Sequence, residues 1–425
     1  MPRSEHPVSR GNISENALKV LYRLKNAGYE AYLVGGGVRD MLLGREPKDF
    51  DIATDADPDE VKDLFRNCRL VGRRFRLAHI LFGREIIEVA TFRAQATDDS
   101  QLSGDMEIEA GGRILRDNVY GNLEDDAWRR DFTINALYYN IQDFSVIDHT
   151  GGMEDIEAGV LRIIGDPEQR YREDPVRMLR AVRFAAKIGF RIDTASEEII
   201  YDLGHLLQDI PAARLFDEVL KLFVGGYAVQ TFELLRHYRL FEYLFPQTEA
   251  SLTEEEEGFP HVFVLKALTN TDARIAADKP VTPAFLYAAL LWEPVRVAMR
   301  PFIEQGDNEQ QALTKAAQIV IDKQLAFTSL PRRFSTPMQE IWNLQLRLSK
   351  RMGKRAYRLF EHPRFRAAYD FLLLRAESGE AEPELGDWWT TFQEVDENER
   401  AAMVREITPK RARRGRRPRR AKPAG

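Results

Sequence analysis

The chain has 425 residues, 44% of them hydrophobic and 30% charged, with a net charge of −6. That length exceeds one ordinary core and calls for about two to four structural units. No apolar run is long enough to span a bilayer, and the lone Cys68 excludes an intrachain disulfide framework or a Cys-based zinc site. The N-terminal stretch MPRSEHPVSRGNISENAL lacks the apolar core of a secretory signal, so a reducing cytoplasm is the expected location.

The first predicted element is a helix from Ile13 to Ala27, capped by Ser14, with Leu18, Leu21, Tyr22 and Leu24 near helical spacing. Ala31–Val34 reads as a short strand running into Gly35, Gly36 and Gly37. A helix over 38–43, closed by Gly44, follows. Residues 50–53 resume as a strand, and 58–65 as a helix with Pro58 in its first turn. Strands are predicted over 77–82 and 86–92, joined by a turn at Gly83, Arg84 and Glu85. Residues 95–112 are polar and read as a mobile loop, and 133–140 with 145–148 read as further strands or a helix–strand pair. Helices follow over 175–187 and 211–224, and nearly every later periodic segment to about residue 406 is helical. That run is broken at Pro246, Pro260, Pro280 and Gly306–Asp307–Asn308. The expected fold is an α/β head over residues 13–165, a helical neck over 166–225, an all-α body over 226–406 and a disordered basic tail over 407–425.

Charge is distributed unevenly. Lys410 to Lys422 carries nine basic residues and no acid, which leaves the remainder near −15, since −6 less 9 is −15. A block of like charge cannot bury itself, and its composition suits a polyanion bound through phosphates. Acid gathers in 98–109 and 254–257. The stretch 347–366 mixes eight Lys or Arg with Tyr357, Phe360 and Phe365. It reads either as a single-stranded RNA surface or as a helix whose aromatic side faces the core.

Three local patterns carry candidate chemistry. Asp49 and Asp51 flank Phe50 at the start of a strand, so alternation puts both carboxylates on one face and Phe50 on the other. Two close carboxylates repel unless a cation sits between them, and Mg²⁺ with a substrate phosphate is the natural occupant; an acidic strand end is the plain alternative. A third carboxylate is expected from Asp131, in Arg129–Arg130–Asp131, or from Glu88. The glycines at 35 and 36 let backbone N–H groups approach a phosphate, with Arg39 one turn into the helix and within reach of the same anion. This is neither a Walker loop nor G-x-G-x-x-G, because Asp40 occupies the third glycine position. Arg177, Arg180 and Arg183 recur every three residues as one stripe beside Asp174. The stripe is either a solvated basic face or a set of donors and acceptors for the edge of a nucleobase.

Together L-V-G-G-G-V-R-D, D-F-D-I-A-T, R-R-D-F-T-I-N-A-L and R-E-D-P-V-R-M-L-R-A-V-R-F-A resemble the bacterial class II nucleotidyltransferases. That group holds CCA-adding tRNA nucleotidyltransferases and poly(A) polymerases. The resemblance implies that Asp49 and Asp51 bind metal and that Asp131 completes the active site at the ribose, with Arg130 beside it. It further implies that Gly35, Gly36 and Arg39 lie at the nucleotide phosphates, that Asp174 and Arg177 read the incoming base, and that Arg180 and Arg183 serve the same nucleotide. Within the group, L-V-G-R-R-F-R-L-A-H-I, Y-R-L-F-E-H-P-R-F-R-A-A-Y-D-F-L-L-L-R-A-E and the basic tail resemble the poly(A) polymerases, and no histidine is followed by Asp. Arg73, Arg74 and Arg76 are expected to add positive charge near the nucleotide. The implied activity is template-independent addition of AMP from ATP to RNA 3′ ends, with Mg²⁺. RNA-decay or RNA-chaperone proteins are expected partners of a cytoplasmic monomer. A CCA-adding enzyme and a non-catalytic RNA-binding scaffold are the alternatives.

Overall fold

The computed structural model describes residues 1–72, 76–94, 106–108, 114–117, 119–253 and 262–408. The chain divides into two compact units, Met1–Leu244 and Phe245–Gly425. Most of the polar stretch 95–112, Arg73, Arg74, the acidic run 254–257, Pro260 and the basic block 410–422 lie outside the described residues.

The first unit is built on a seven-stranded sheet. Its strands are β1 Ala31–Val34, β2 Asp51–Thr54, β3 Cys68–Val71, β4 Leu77–Phe82, β5 Glu85–Thr91, β8 Leu137–Asn140 and β9 Val146–Asp148, in the order β3-β4-β5-β2-β1-β8-β9. Every neighbouring pair is antiparallel except β2 with β5, which run parallel. A separate ribbon pairs β6 Met106–Ile108 with β7 Ile114–Asp117, so the expected loop contains a strand. Alternation sorts the sheet residues into two layers. Leu33, Ile52, Val89 and Tyr139 join Val20, Leu21 and Leu24 of the helix Glu15–Asn26 in the larger core cluster. Val34, Ala53 and Tyr138 face the other way, toward Phe92 and Ala127. Asp51 has the parity of Ala53 and therefore belongs to this second face.

The helix signals act as the sequence implies. Ser14 Oγ accepts from the Ala17 N–H, and Gly44 closes the helix Gly36–Leu42 at φ 69°. That helix starts two residues earlier than expected, because Gly35 at φ 74° and ψ −137° turns the chain directly from β1 into it. After the sheet, the helices Pro167–Glu173, Val176–Ile188, Thr194–Leu203, Ala212–Phe223, Ala228–His237 and Phe241–Leu244 follow within the unit.

The second unit is all helical among the described residues, with Pro283 opening one helix and Gly306, at φ 95°, separating Trp292–Glu304 from Glu309–Gln324. Tyr357, Phe360 and Phe365 pack into its core with Trp389 and Phe392. The aromatic side of 347–366 is thus core-facing, with Phe365 buried and Tyr357 and Phe360 partly buried. No helix among the described residues is long and apolar enough to cross a membrane.

Candidate active site

Three sheet strands converge on one acidic point. Register pairs Val34 with Asp51 and Asp51 with Glu88, so Asp51 and Glu88 stand side by side on parallel strands and project to one face. Glu88 also faces His79 across β4, with Nε2 to Oε2 at 3.3 Å. Phe50 is buried in the opposite core while Asp49 is exposed. The Asp51 carboxyl is pushed up to about 6, first by burial and then by the charge of Glu88, with Asp49 acting the same way and Arg130 against it. A carboxylate held under such repulsion favours a cation, and a hard divalent ion fits this all-oxygen donor set. Among the described residues no group of three or more His, Cys, Asp or Glu side chains is close enough to hold an ion unaided. Such a site suits Mg²⁺, which takes one or two carboxylates and completes its shell with water and substrate phosphate.

The glycine turn adjoins these acids. A Cβ at Gly35 would stand 3.7 Å from Arg130 Nη1 and 3.9 Å from Asp51 Oδ2. A Cβ at Gly37 would stand 3.3 Å from the Asp49 carbonyl oxygen, so the glycines also allow the two motifs to pack closely. Arg130 is held from behind. Its Nε donates to Tyr138 Oη at 2.9 Å and to Asp126 Oδ2 at 3.1 Å, its Nη2 donates to the same Asp126 oxygen at 3.0 Å, and Tyr138 donates to that oxygen at 2.7 Å. Burial disfavours the Arg130 charge, but Tyr138 and Asp126 outweigh it and keep the guanidinium protonated.

Arg39 departs from the sequence expectation. It is fully buried, with Nε and Nη2 on Asp40 Oδ1 at 2.9 and 2.6 Å, Nη1 on Asn135 Oδ1 at 2.6 Å, and its guanidinium over the Phe184 ring. All its donating groups are committed inside the protein, and Nη2 lies 3.5 Å from the place of a Cβ on Gly36. It braces the glycine turn rather than presenting a free cation. Arg76 likewise is paired with Asp59 at 3.0 Å.

Asp131 takes a different partner from Asp51. It accepts from Arg180, from Asn135 Nδ2 at 3.2 Å and from the Phe132 N–H at 2.8 Å. Burial alone would push its carboxyl up; the charge and hydrogen bonds of Arg180, with Asn135 and Phe132, bring it down to about 2. Of the two third-carboxylate candidates, Glu88 is therefore the strand neighbour of Asp51, while Asp131 faces the arginine helix.

That helix, Val176–Ile188, distributes its arginines. Arg177 Nη1 donates to Glu173 Oε2 at 2.9 Å and to the Arg170 carbonyl at 2.7 Å. Asp174 Oδ2 accepts from Arg214 at 2.7 Å, so Asp174 and Arg177 are held by separate struts. Arg183 lies over the Phe184 ring and makes no hydrogen bond or ion pair among the described residues. Arg170, which sequence reasoning missed, donates to Glu173 and to the carbonyls of Arg129 and Arg130, tying this helix pair to the Asp131 loop. Asp126 was also missed, although its place four residues before Arg130 on a helix is a legible ion-pair spacing. Arg214 comes from a distant position and had no such signal, and Asn135 and Tyr138 lie past the end of that helix, where helical spacing does not report a pairing.

Three family profiles match the chain: the poly A polymerase head domain over residues 31–162, a probable RNA and SrmB-binding site of polymerase A over 189–252, and the polymerase A arginine-rich C-terminus over 305–422. The poly(A) polymerase I of Escherichia coli O6:H1 is 52% identical across 100% of this chain and 92% of its own length. The chain belongs to the bacterial poly(A) polymerase family. The Haemophilus influenzae poly(A) polymerase I is 47% identical across 99% of this chain and 94% of its own length. A solved structure of the Bacillus stearothermophilus CCA-adding enzyme in complex with CTP matches with a TM-score of 0.58 at 26% identity, covering 89% of this chain and 82% of that one. The two groups share the nucleotidyltransferase fold, and full-length identity places this chain with the polymerases. It is a polynucleotide adenylyltransferase that extends RNA from ATP without a template, and enzymes of this kind use ATP with a divalent metal.

Proposed function

We propose that Asp49 and Asp51 hold Mg²⁺ at the α-phosphate of ATP, with Glu88 as their neighbouring carboxylate. Bound there, the ion would lower the pKa of the RNA 3′-hydroxyl and neutralise charge developing at the α-phosphate. The bare backbone at Gly35 and Gly36 and the Nη1 of Arg130 receive the triphosphate, and Asp126, Tyr138 and Arg39 keep those groups in place before substrate arrives. Asp131 and Arg180 lie on the ribose side, and Asp174, Arg177 and Arg183 meet the base and phosphates. The observation that carries this reading is the register that sets Asp51 beside Glu88 on parallel strands, with the Asp51 carboxylate next to a side-chain-free turn. The functional partition is a catalytic head over 13–165, a base-reading neck over 166–225, an RNA-binding body over 226–406 and a basic tail. The enzyme acts in the cytoplasm as a monomer beside RNA-decay or RNA-chaperone proteins. The test is Asp51→Asn, assayed with a short RNA, ATP and Mg²⁺. AMP addition is lost while RNA affinity stays near wild type; wild-type turnover would remove the metal role.

A further inference from the structure

The helices Phe263–Ala276, Pro283–Leu290, Arg332–Leu348 and Phe365–Glu377 border a cleft of about 410 Å³ in the second unit. Arg274, Arg333, Arg364 and Arg366 line it with Phe334 and Pro337. One carboxylate lines it, Asp370, which is shared between Arg274 at 3.5 Å and Arg366 at 3.0 Å. Arg364 is paired with Glu340 at 3.2 Å, outside the lining. Arg333 has no carboxylate partner among the described residues; its guanidinium lies 4.8 Å from the Phe334 ring centroid. Four cations against Asp370 and the Glu340 that pairs with Arg364 leave the cleft with an excess of positive charge, which favours an anionic occupant.

The walls narrow the choice. An acidic peptide would satisfy the guanidinium groups and leave the aromatic and proline walls unused. A nucleotide uses both, with its phosphates on the arginines and its base against the ring of Phe334. The volume lies in the range that holds one drug-sized molecule, which a nucleotide is. We propose that this cleft is a subsite for one nucleotide of the single-stranded RNA substrate, other than the reacting one, since the proposed catalytic acids all belong to the first unit. Of the arginines in the basic stretch 347–366, only the last two reach this lining, while Phe365 is buried in the core and Tyr357 and Phe360 pack partly buried against it. The inference rests on RNA being the substrate and not on the metal roles of Asp49 and Asp51.

The test has two arms on the full chain. Photo-crosslinking with a 4-thiouridine-substituted oligo(A) should map to peptides within 270–285, 331–341 and 363–370. Arg333→Glu and Arg366→Glu, at exposed positions and checked by circular dichroism, should each raise the Kd for a labelled oligo(A) about tenfold. The salt slope should become shallower by about 0.7 for each phosphate that is no longer neutralised. Crosslinks confined to other peptides with unchanged affinity in both variants overturn the subsite. Competition by polyglutamate at the crosslinked peptides that oligo(A) does not match also overturns it, in favour of an acidic protein partner. Failure of the wild type to bind oligo(A) would instead sink the RNA-binding reading of the body.

Discussion

Arg180→Gln isolates the ion pair that joins the arginine helix to the catalytic loop. Asp131 lies at about 2 against an ordinary 3.8, and at about 1.4 kcal/mol per pH unit that difference is worth about 2.4 kcal/mol at neutral pH. Asn135 and the Phe132 N–H supply part of it, and the Arg180 side chain is 34% exposed, so solvent screening reduces the share of the pair to about 1–2 kcal/mol. Arg180→Gln should therefore lower the melting temperature of the first unit by about 3–6 °C. The sign follows from a depressed acid: the stabilisation is present above the ordinary value and is lost as pH falls toward the depressed one. The gap between wild type and Arg180→Gln, read by urea unfolding, should be full at pH 7 and narrow between about pH 4 and about pH 2. In an Asp131→Asn background the same substitution should cost less, giving a coupling of about 1–2 kcal/mol. Additive losses, or a gap that does not change with pH, would refute the pairing argument.

Gly152→Ala should cost about 2–3 kcal/mol in the same unfolding assay, because a Cβ there would stand 2.4 Å from the rigid Thr133 carbonyl oxygen. Gly44→Ala, with open space and only a positive φ against it, should cost less. Arg177→Ala should reduce the preference for ATP over CTP about tenfold in competing single-nucleotide assays, and an unchanged ratio would end its role as base reader. Deleting residues 410–422 should weaken RNA binding and flatten its salt dependence with little effect on the KM for ATP; an unaltered salt slope counts against the tail.

The sheet strands around the acids were legible because their residues alternate on a half-buried surface, as in Leu33 against Val34 and Ile52 against Ala53. Cys68–Val71 and the helix Leu123–Arg129 were not. The first is an edge strand with no residue fully buried, so its pattern is weak, and the second carries four charges in seven residues and buries only Asp126 and Ala127. The candidate site was legible as residue types in motifs and illegible as pairings. Arg39 looked like a free cation because sequence spacing reports helix face and not depth. Its inward position follows from Asn135 and Phe184, which are distant in the chain.

The arginine stripe illustrates why depth and pairing matter more than spacing. Arg177, Arg180 and Arg183 are equivalent as a repeat of three, yet the fold gives each a different electrostatic state. Arg177 is matched by Glu173, and Arg180 by Asp131. Arg183 has neither, and its pKa is lowered first by burial and then by the charge of Arg180, with Glu218 and Asp131 only partly opposing. A half-buried guanidinium in that state lacks a paired anion among the described residues, and a nucleotide phosphate placed against it would supply one at little reorganisation cost. The pairs of Arg177 with Glu173 and of Arg180 with Asp131 hold those two side chains in place, and the charge of Arg183 is left unmatched among the described residues. Side chains already held by partners suit selection of a nucleotide without a template, because recognition groups that pointed at water would each have to be ordered anew when ATP binds.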